Sequence, residues 1–162
     1  MKILNGKEEK EAADFFQHAI RAALRATCRD AKCGTIIVKN NEMIGTGFNS
    51  PPGNLESLRR CSFQKKDYHF RVTDKTCCIH AEQRAILDAF KKNPEKLNGS
   101  RLYFVRVDEN GKILKADGKP YCTICSKLAL DSGIDEFVLW NDVGISVYNT
   151  KEYNTLSFQY NG

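Results

Sequence analysis

Hydrophobic positions along the chain recur at two periods, and the switches between them outline the elements. From Glu8 to Thr27, Ala12, Phe15, Phe16, Ala19, Ile20, Ala23 and Leu24 lie three and four residues apart, with acids early and arginines late. This predicts an amphipathic helix matched to its own dipole. Gly34 then opens the β-forming run Thr35-Ile36-Ile37-Val38, Asn40-Asn41 offers a turn, and Met43 to Phe48 returns, so the region reads as a strand hairpin. Ala81, Ala85 and Ala89 repeat at every fourth residue beside Ile86 and Phe90, predicting a second helix from about Ile79 to Lys92 that Asn93-Pro94 stops. Its small-residue face suits close packing on a sheet. Leu102 to Val107 is a further strand, and Glu109-Asn110-Gly111-Lys112 before Ile113-Leu114 has the form of a type I′ hairpin appended to it. A third helix runs from about Cys122 to Ser132, ends at Gly133 and leads into a buried strand, Phe137 to Trp140. Beyond Asn141 the pattern weakens.

The first hairpin is antiparallel while later helices and strands alternate, so the pattern predicts an α/β fold, a mixed sheet with helices on both faces. A length of 162 residues suits one domain over 1–162, and 41% hydrophobic residues supply a shared core while excluding a disordered or collagen-like chain. No apolar run is long enough to span a bilayer and Met1 to Lys10 is charged, so a soluble, cytoplasmic protein with no membrane partner is expected. One stretch, 49–76, stands outside both periods. It holds Pro51-Pro52-Gly53 and the cations Arg59, Arg60, Lys65, Lys66, Arg71 and Lys75, and a connection of that length is uncommon unless functional. The net charge of +5 favours an anionic partner only weakly, and an ordinary solvated surface accounts for it better.

Seven cysteines, an odd number without a secretory signal, point to ligands, nucleophiles or buried thiols rather than disulfides. Among them Cys122 and Cys125 stand apart together with His80, which Glu82 follows two residues later. One imidazole and two thiolates suit a borderline-soft ion such as zinc, and three protein ligands leave a fourth tetrahedral position for water. Cys122 and Cys125, at i and i+3 in the first turn of the third helix, project to one side, and His80 opens the second helix. Two helix N-termini thus converge on one ion, and their free N–H groups favour deprotonated thiols. Glu82, near the open position, is placed to pass a proton from an attacking water to a leaving amine, as replacement of an amino group on an aromatic ring requires. Each piece alone has a plainer reading: a Cys-x-x-Cys pair serves redox chemistry or half of a structural zinc knot, and a glutamate in a first turn answers the dipole. A non-catalytic zinc protein is therefore the alternative from another class.

Through His80-Ala81-Glu82 and, 40 residues after Glu82, Cys122-x-x-Cys125, the chain resembles the cytidine and deoxycytidylate deaminase superfamily. Gly34 to Val38, Gly45 to Asn49 and Gln83-Arg84-Ala85-Ile86 extend the likeness over most of the chain. The resemblance implies a three-layer α/β/α fold with a central mixed sheet and one catalytic Zn2+ held by His80, Cys122 and Cys125. It further implies Glu82 as proton shuttle, substrate contacts from the Ala81 backbone N–H and from Asn49, and a homo-oligomer. One departure is that Tyr121 stands between Pro120 and Cys122, where the family usually has proline directly before the cysteine, which alters the loop facing the leaving amine.

The closer likeness is to deoxycytidylate deaminases, because Gly47-Phe48-Asn49 leads into Pro51-Pro52-Gly53 and a cysteine-bearing insert. It implies a dCMP-like nucleotide converted to its uracil counterpart with release of ammonia. Arg59, Arg60 and Arg71 are candidates for the 5′-phosphate, with solubilising charge as the plainer reading. Cys61, His69, Cys77 and Cys78 are a candidate set for a second, structural zinc, with ordinary buried thiols as its alternative. Cys28 and Cys33 read as core-edge thiols, and His18 as a surface or boundary residue. Deamination of free cytidine or deoxycytidine, of tRNA adenosine or of single-stranded nucleic acid shares the zinc chemistry. Tyr68, His69 and Phe70 form one short aromatic patch, which speaks against a nucleic-acid platform without excluding it. Trp140, Tyr148 and Phe158 read as packing residues.

Overall fold

Asn40 and Asn41 both adopt left-handed backbone angles, φ 49° and 61°, the consecutive positive pair that a type I′ turn demands, and the chain reverses there as the sequence predicts. The structure, a computed structural model, describes residues 1–115 and 118–161. Among these residues the strands Lys2–Ile3 (β1), Lys32–Lys39 (β2), Glu42–Phe48 (β3), Ser100–Val107 (β4), Ile134–Asn141 (β5) and Gly144–Asn149 (β6) form one sheet in the order β1-β6-β5-β4-β2-β3. Only β4 and β5 pair in parallel, so the sheet is mixed.

Four helices cover it in two layers. Gly6–Ala23 (α1) lies on one face, where Phe16, Ala19 and Ala23 pack on Ile36, Val105, Val138 and Ile145. Ala81–Lys92 (α2), Thr123–Asp131 (α3) and Thr150–Phe158 (α4) lie on the other, around Ile37, Leu102, Phe137 and Leu139. The three-layer arrangement is therefore present. No helix of the described residues is long and apolar enough to cross a membrane.

The alanine face of α2 meets glycine on the sheet. A Cβ placed on Gly47 would lie 2.2 Å from the Ala81 carbonyl oxygen, and one on Gly45 would lie 2.5 Å from that of Ala85. The helix backbone rests directly on β3, which fixes the height of its first turn above the sheet. Ser50 and Ile79 form an isolated antiparallel bridge, so the 49–76 insert leaves and returns at one place and delivers the chain to α2. The insert itself contains only short 3₁₀ turns at Pro52–Asn54, Glu56–Leu58 and Lys65–Asp67.

Several boundaries depart from the sequence reading. The first helix stops at Ala23 because the next amides, of Arg25 and Ala26, bond back to the carbonyls of Ala22 and Ala23 in a tightened turn. At 109–114 only Val107 and Ile113 bridge, and Gly111 alone has a positive φ, 82°. Asp108 Oδ1 accepts from the amides of Asn110 and Lys112 at 2.9 Å each, so a side chain holds this loop and no type I′ turn forms. The weakly patterned chain end carries β6 and α4. Tyr153 of α4 stacks on Phe137 with ring centroids 3.9 Å apart, and Tyr148 is buried. Phe158, read as a packing residue, is instead 64% exposed at the end of α4.

Candidate metal centre and active site

His80 is the N-cap of α2, in extended conformation at φ −69° and ψ 151°, and its backbone N–H donates to Gln83 Oε1 at 3.0 Å. Cys122 is the N-cap of α3, where its side chain does the capping: its Sγ accepts from the Cys125 amide at 3.4 Å. Both caps face one point. His80 Nδ1 lies 3.3 Å from Cys125 Sγ and 3.3 Å from Cys122 Sγ. Among the described residues, His80, Glu82, Cys122 and Cys125 are the one group of metal-binding side chains whose ligand atoms all lie within 4.8 Å of one another.

This donor set fits zinc. Ideal Zn–N and Zn–S bonds at tetrahedral angles would place nitrogen and sulfur about 3.6 Å apart, close to the observed separations. The flanking helix starts supply oriented amides that favour thiolate. Sulfur and imidazole in contact already polarise one another: the Cys125 thiol and His80 hold Cys122 down to about 4, and Cys122 and Glu82 push His80 up to about 9. The proton shared with Cys122, together with burial, drives Cys125 well above its ordinary value. Burial, with Cys122 beside it, lifts the Glu82 carboxyl to about 7.

The centre opens into a cavity of about 430 Å³. Glu82, Ala81 and Asn49 all line it. Ala81, fully buried, is the first residue of α2, so its N–H has no intrahelical partner. Asn49 sits on the wall with its amide already engaged: Oδ1 accepts from the Cys33 amide and Nδ2 donates to the Ala31 carbonyl, both at 2.9 Å. Arg84 ties the loop after β3 to α2 by donating to the Pro51 carbonyl at 2.8 Å.

Of the three arginines singled out for phosphate, only Arg60 lines the cavity, and Lys65, Lys75 and Arg106 join it there. Arg59 instead pairs with Glu56 and donates to the Thr27 carbonyl at 2.8 Å, while Arg71 lies over the Phe70 ring. No periodicity marked which cations of the insert turn inward, so Lys65 and Lys75 could not be separated from Lys66 in the sequence. Cys61 and Cys77 do meet, with sulfurs 3.5 Å apart. His69 does not join them: its ring lies against Phe70 and its Nδ1 accepts from the Arg71 amide at 3.2 Å. Cys28 takes its place in the row, next to Cys78, whose thiol is pushed up by burial and by Cys28 and Cys77. The four thiols form a string, not a closed set like the one around His80. Cys33, read as a core-edge thiol, is buried and also lines the cavity.

Fold and centre together define an α/β/α protein in which side chains fit to hold zinc gather at two helix N-termini and border a cavity. The sequence profile described as the cytidine and deoxycytidylate deaminase zinc-binding region matches residues 9–141, and the chain belongs to that family. It is 30% identical over 151 residues to the deoxycytidylate deaminase of Saccharomyces cerevisiae, a match covering 85% of this chain and 42% of that protein. With the deoxycytidylate deaminase of Mycobacterium phage D29 it shares 30% identity over 131 residues, covering 76% of this chain and 89% of the phage protein. The chain thus spans about two fifths of the yeast relative's length and most of the phage relative's. Among solved structures, the dCMP deaminase of cyanophage S-TIM5 in apo form superposes with a TM-score of 0.56 at 23% identity, covering 82% of each chain. Cytidine deaminase from Burkholderia pseudomallei gives 0.55 at 17% identity, covering 87% of this chain and 94% of that one. At those identities the likeness is one of fold.

Proposed function

We propose that the chain is a zinc-dependent hydrolytic deaminase that converts a cytosine 5′-monophosphate such as dCMP to its uracil counterpart, releasing ammonia. The observation that carries this reading is the Glu82 carboxyl, 3% exposed, set among the three metal donors on the wall of a cavity with a cationic lining. A carboxylate in a closed structural metal site would have no cavity to serve. When bound, zinc supplies a Lewis acid that acidifies water near neutral pH. His80, Cys122 and Cys125 would hold the ion, and the Ala81 N–H would donate to the pyrimidine carbonyl. Glu82 takes a proton from the nucleophilic water and delivers it to the ring nitrogen; the same carboxylate then carries the proton of the newly added hydroxyl to the amino group, and the C–N bond breaks to release ammonia. Arg60, Lys65 and Lys75 provide the charge that a 5′-phosphate requires. The relatives that are named deoxycytidylate deaminases, and the S-TIM5 enzyme's complex with dCMP and dUMP, support the substrate assignment.

The test is ammonia release from cytosine and adenine compounds offered as bases, nucleosides, monophosphates and oligonucleotides. dCMP should be turned over best, with activity falling sharply when the 5′-phosphate is removed. Glu82→Gln should retain zinc and lose turnover by at least ~100-fold, the scale of one general acid–base group. A Glu82→Gln protein as active as the parent would remove the mechanism, and a preference for oligonucleotides would replace the substrate. We also propose that the chain assembles with copies of itself, since Leu87 and Phe90 stand 53% and 52% exposed, three residues apart on the outer side of α2.

A further inference from the structure

The turn that carries both metal-ligating cysteines is tied internally by the Cys125 amide, which donates to Cys122 Sγ, and by Ser126 Oγ, which donates to the Thr123 carbonyl at 3.1 Å. Cys122 is the N-cap of α3 in extended conformation, φ −91° and ψ 100°, so the position of its sulfur depends on the segment that precedes it. Tyr121, immediately before it, is not proline, so no pyrrolidine ring fixes its φ. Its ring nevertheless has a fixed neighbour: it packs on Tyr160 with centroids 5.9 Å apart and planes tilted by 53°. The other side of Tyr121 lines the substrate cavity together with Glu82, Ala81 and Phe104.

Tyr160 lies two residues beyond α4, and α4 is itself fastened to the same turn. Asn154 Nδ2 donates to Ser126 Oγ at 2.8 Å, and Ser157 Oγ lies 3.2 Å from it. Ser126, fully buried, directly follows Cys125. The helix after the last strand therefore grips the cysteine turn at two points: Ser126 on the inside, and Tyr121 through Tyr160 at the rim.

We propose that the Tyr121–Tyr160 ring pair is a clasp by which the C-terminal segment fixes the cavity wall at Tyr121 and the adjoining ligand Cys122. Tyr121 is a substrate-wall residue that sets how tightly a nucleotide is held. Tyr160 touches neither metal nor substrate and is a positioning residue acting through Tyr121. The proposal extends the deaminase reading, on which its substrate arm rests, while its metal arm rests on the zinc site alone.

The experiment compares zinc-loaded parent, Tyr160→Ala, Tyr160→Phe, Tyr121→Ala and the double alanine variant. Three quantities are read: kcat and KM for dCMP, the rate of zinc loss to a chelator, and the melting temperature. An aromatic pair of ordinary strength corresponds to a change of about three- to tenfold. Tyr160→Ala should raise KM by that factor with kcat little altered, and should speed zinc loss to a similar degree. Tyr160→Phe, which keeps the ring, should restore both. In the Tyr121→Ala background the Tyr160→Ala change should add nothing further, because the ring it held is gone. Parental KM and zinc loss in Tyr160→Ala, or effects that simply multiply in the double variant, would overturn the clasp. A parent that deaminates no dCMP but shows the coupled zinc-loss pattern would instead sink the substrate reading and leave the clasp standing. Tyr160 is 52% exposed, so its variants are expected to fold, and the melting temperature verifies this.

Discussion

Asn49 shows how one side chain can serve structure at a place where chemistry is expected. The resemblance points to it as a substrate contact, and the structure puts it on the cavity wall, yet its amide joins the Cys33 amide to the Ala31 carbonyl and so fixes the entry of β2. At 7% exposure it replaces two hydrogen bonds that buried backbone would otherwise lack. Asn49→Ala should therefore cost about 1–3 kcal/mol of stability, measured by urea unfolding, in addition to any loss of activity. A variant as stable as the parent but impaired in turnover would assign Asn49 to substrate alone. At this scale the sequence showed residue type and spacing well: His80, Glu82, Cys122 and Cys125 stand out as a candidate set, and the fold brings their ligand atoms within 4.8 Å of one another. It did not show direction. Arg59 turns to Glu56 while Lys65 and Lys75 turn to the cavity, and nothing in a run of cations records which way each points.

Among the elements, α2 and β3 depend on one another most closely. Gly45 and Gly47 leave no room for a side chain, since a Cβ on Gly47 would stand 2.2 Å from one backbone oxygen and 2.4 Å from the Ala85 nitrogen. Neither obstacle is a flexible side chain, so Gly47→Ala must lift the first turn of α2, and with it His80 and Glu82. We expect destabilisation of about 1–3 kcal/mol or more, together with weaker zinc retention. Gly53→Ala is the control in the neighbouring loop: its strain comes from a positive φ of 63°, a Cβ there would meet only the Leu55 side chain, and it should leave zinc affinity intact. Equal zinc retention in Gly47→Ala and the parent would show that the helix start tolerates the shift. The alanine period of α2 was legible because it repeats over a dozen residues. By contrast β6 and α4 went unread, since six strand residues and a helix with few buried apolar positions give too short a period to stand out. Both are held by their neighbours in the fold, β6 by pairing with β1 and β5, and α4 by Tyr153 on Phe137 and Ser157 on Ser126.

For the whole molecule, the exposed pair Leu87 and Phe90 leads to a definite expectation: light scattering behind size-exclusion chromatography should give a mass above the 18.4 kDa of one chain. Charged substitutions at both positions should shift it toward the monomer. A parent that elutes only as a monomer would end that expectation. What the sequence determined by itself was the local grammar and the chemistry: amphipathic α1, the Asn40-Asn41 reversal, the alanine face of α2 and the nitrogen and sulfur donors with their carboxylate. These follow from short-range rules, in which a residue's own backbone preference or its neighbours three and four places away decide the outcome. The order β1-β6-β5-β4-β2-β3, the exchange of His69 for Cys28 beside the insert thiols, the inward cations and the grip of α4 on the cysteine turn were decided only in three dimensions. Each joins groups far apart along the chain, and such contacts are set by which apolar faces can be buried together, a property of the assembled layers and not of any one segment.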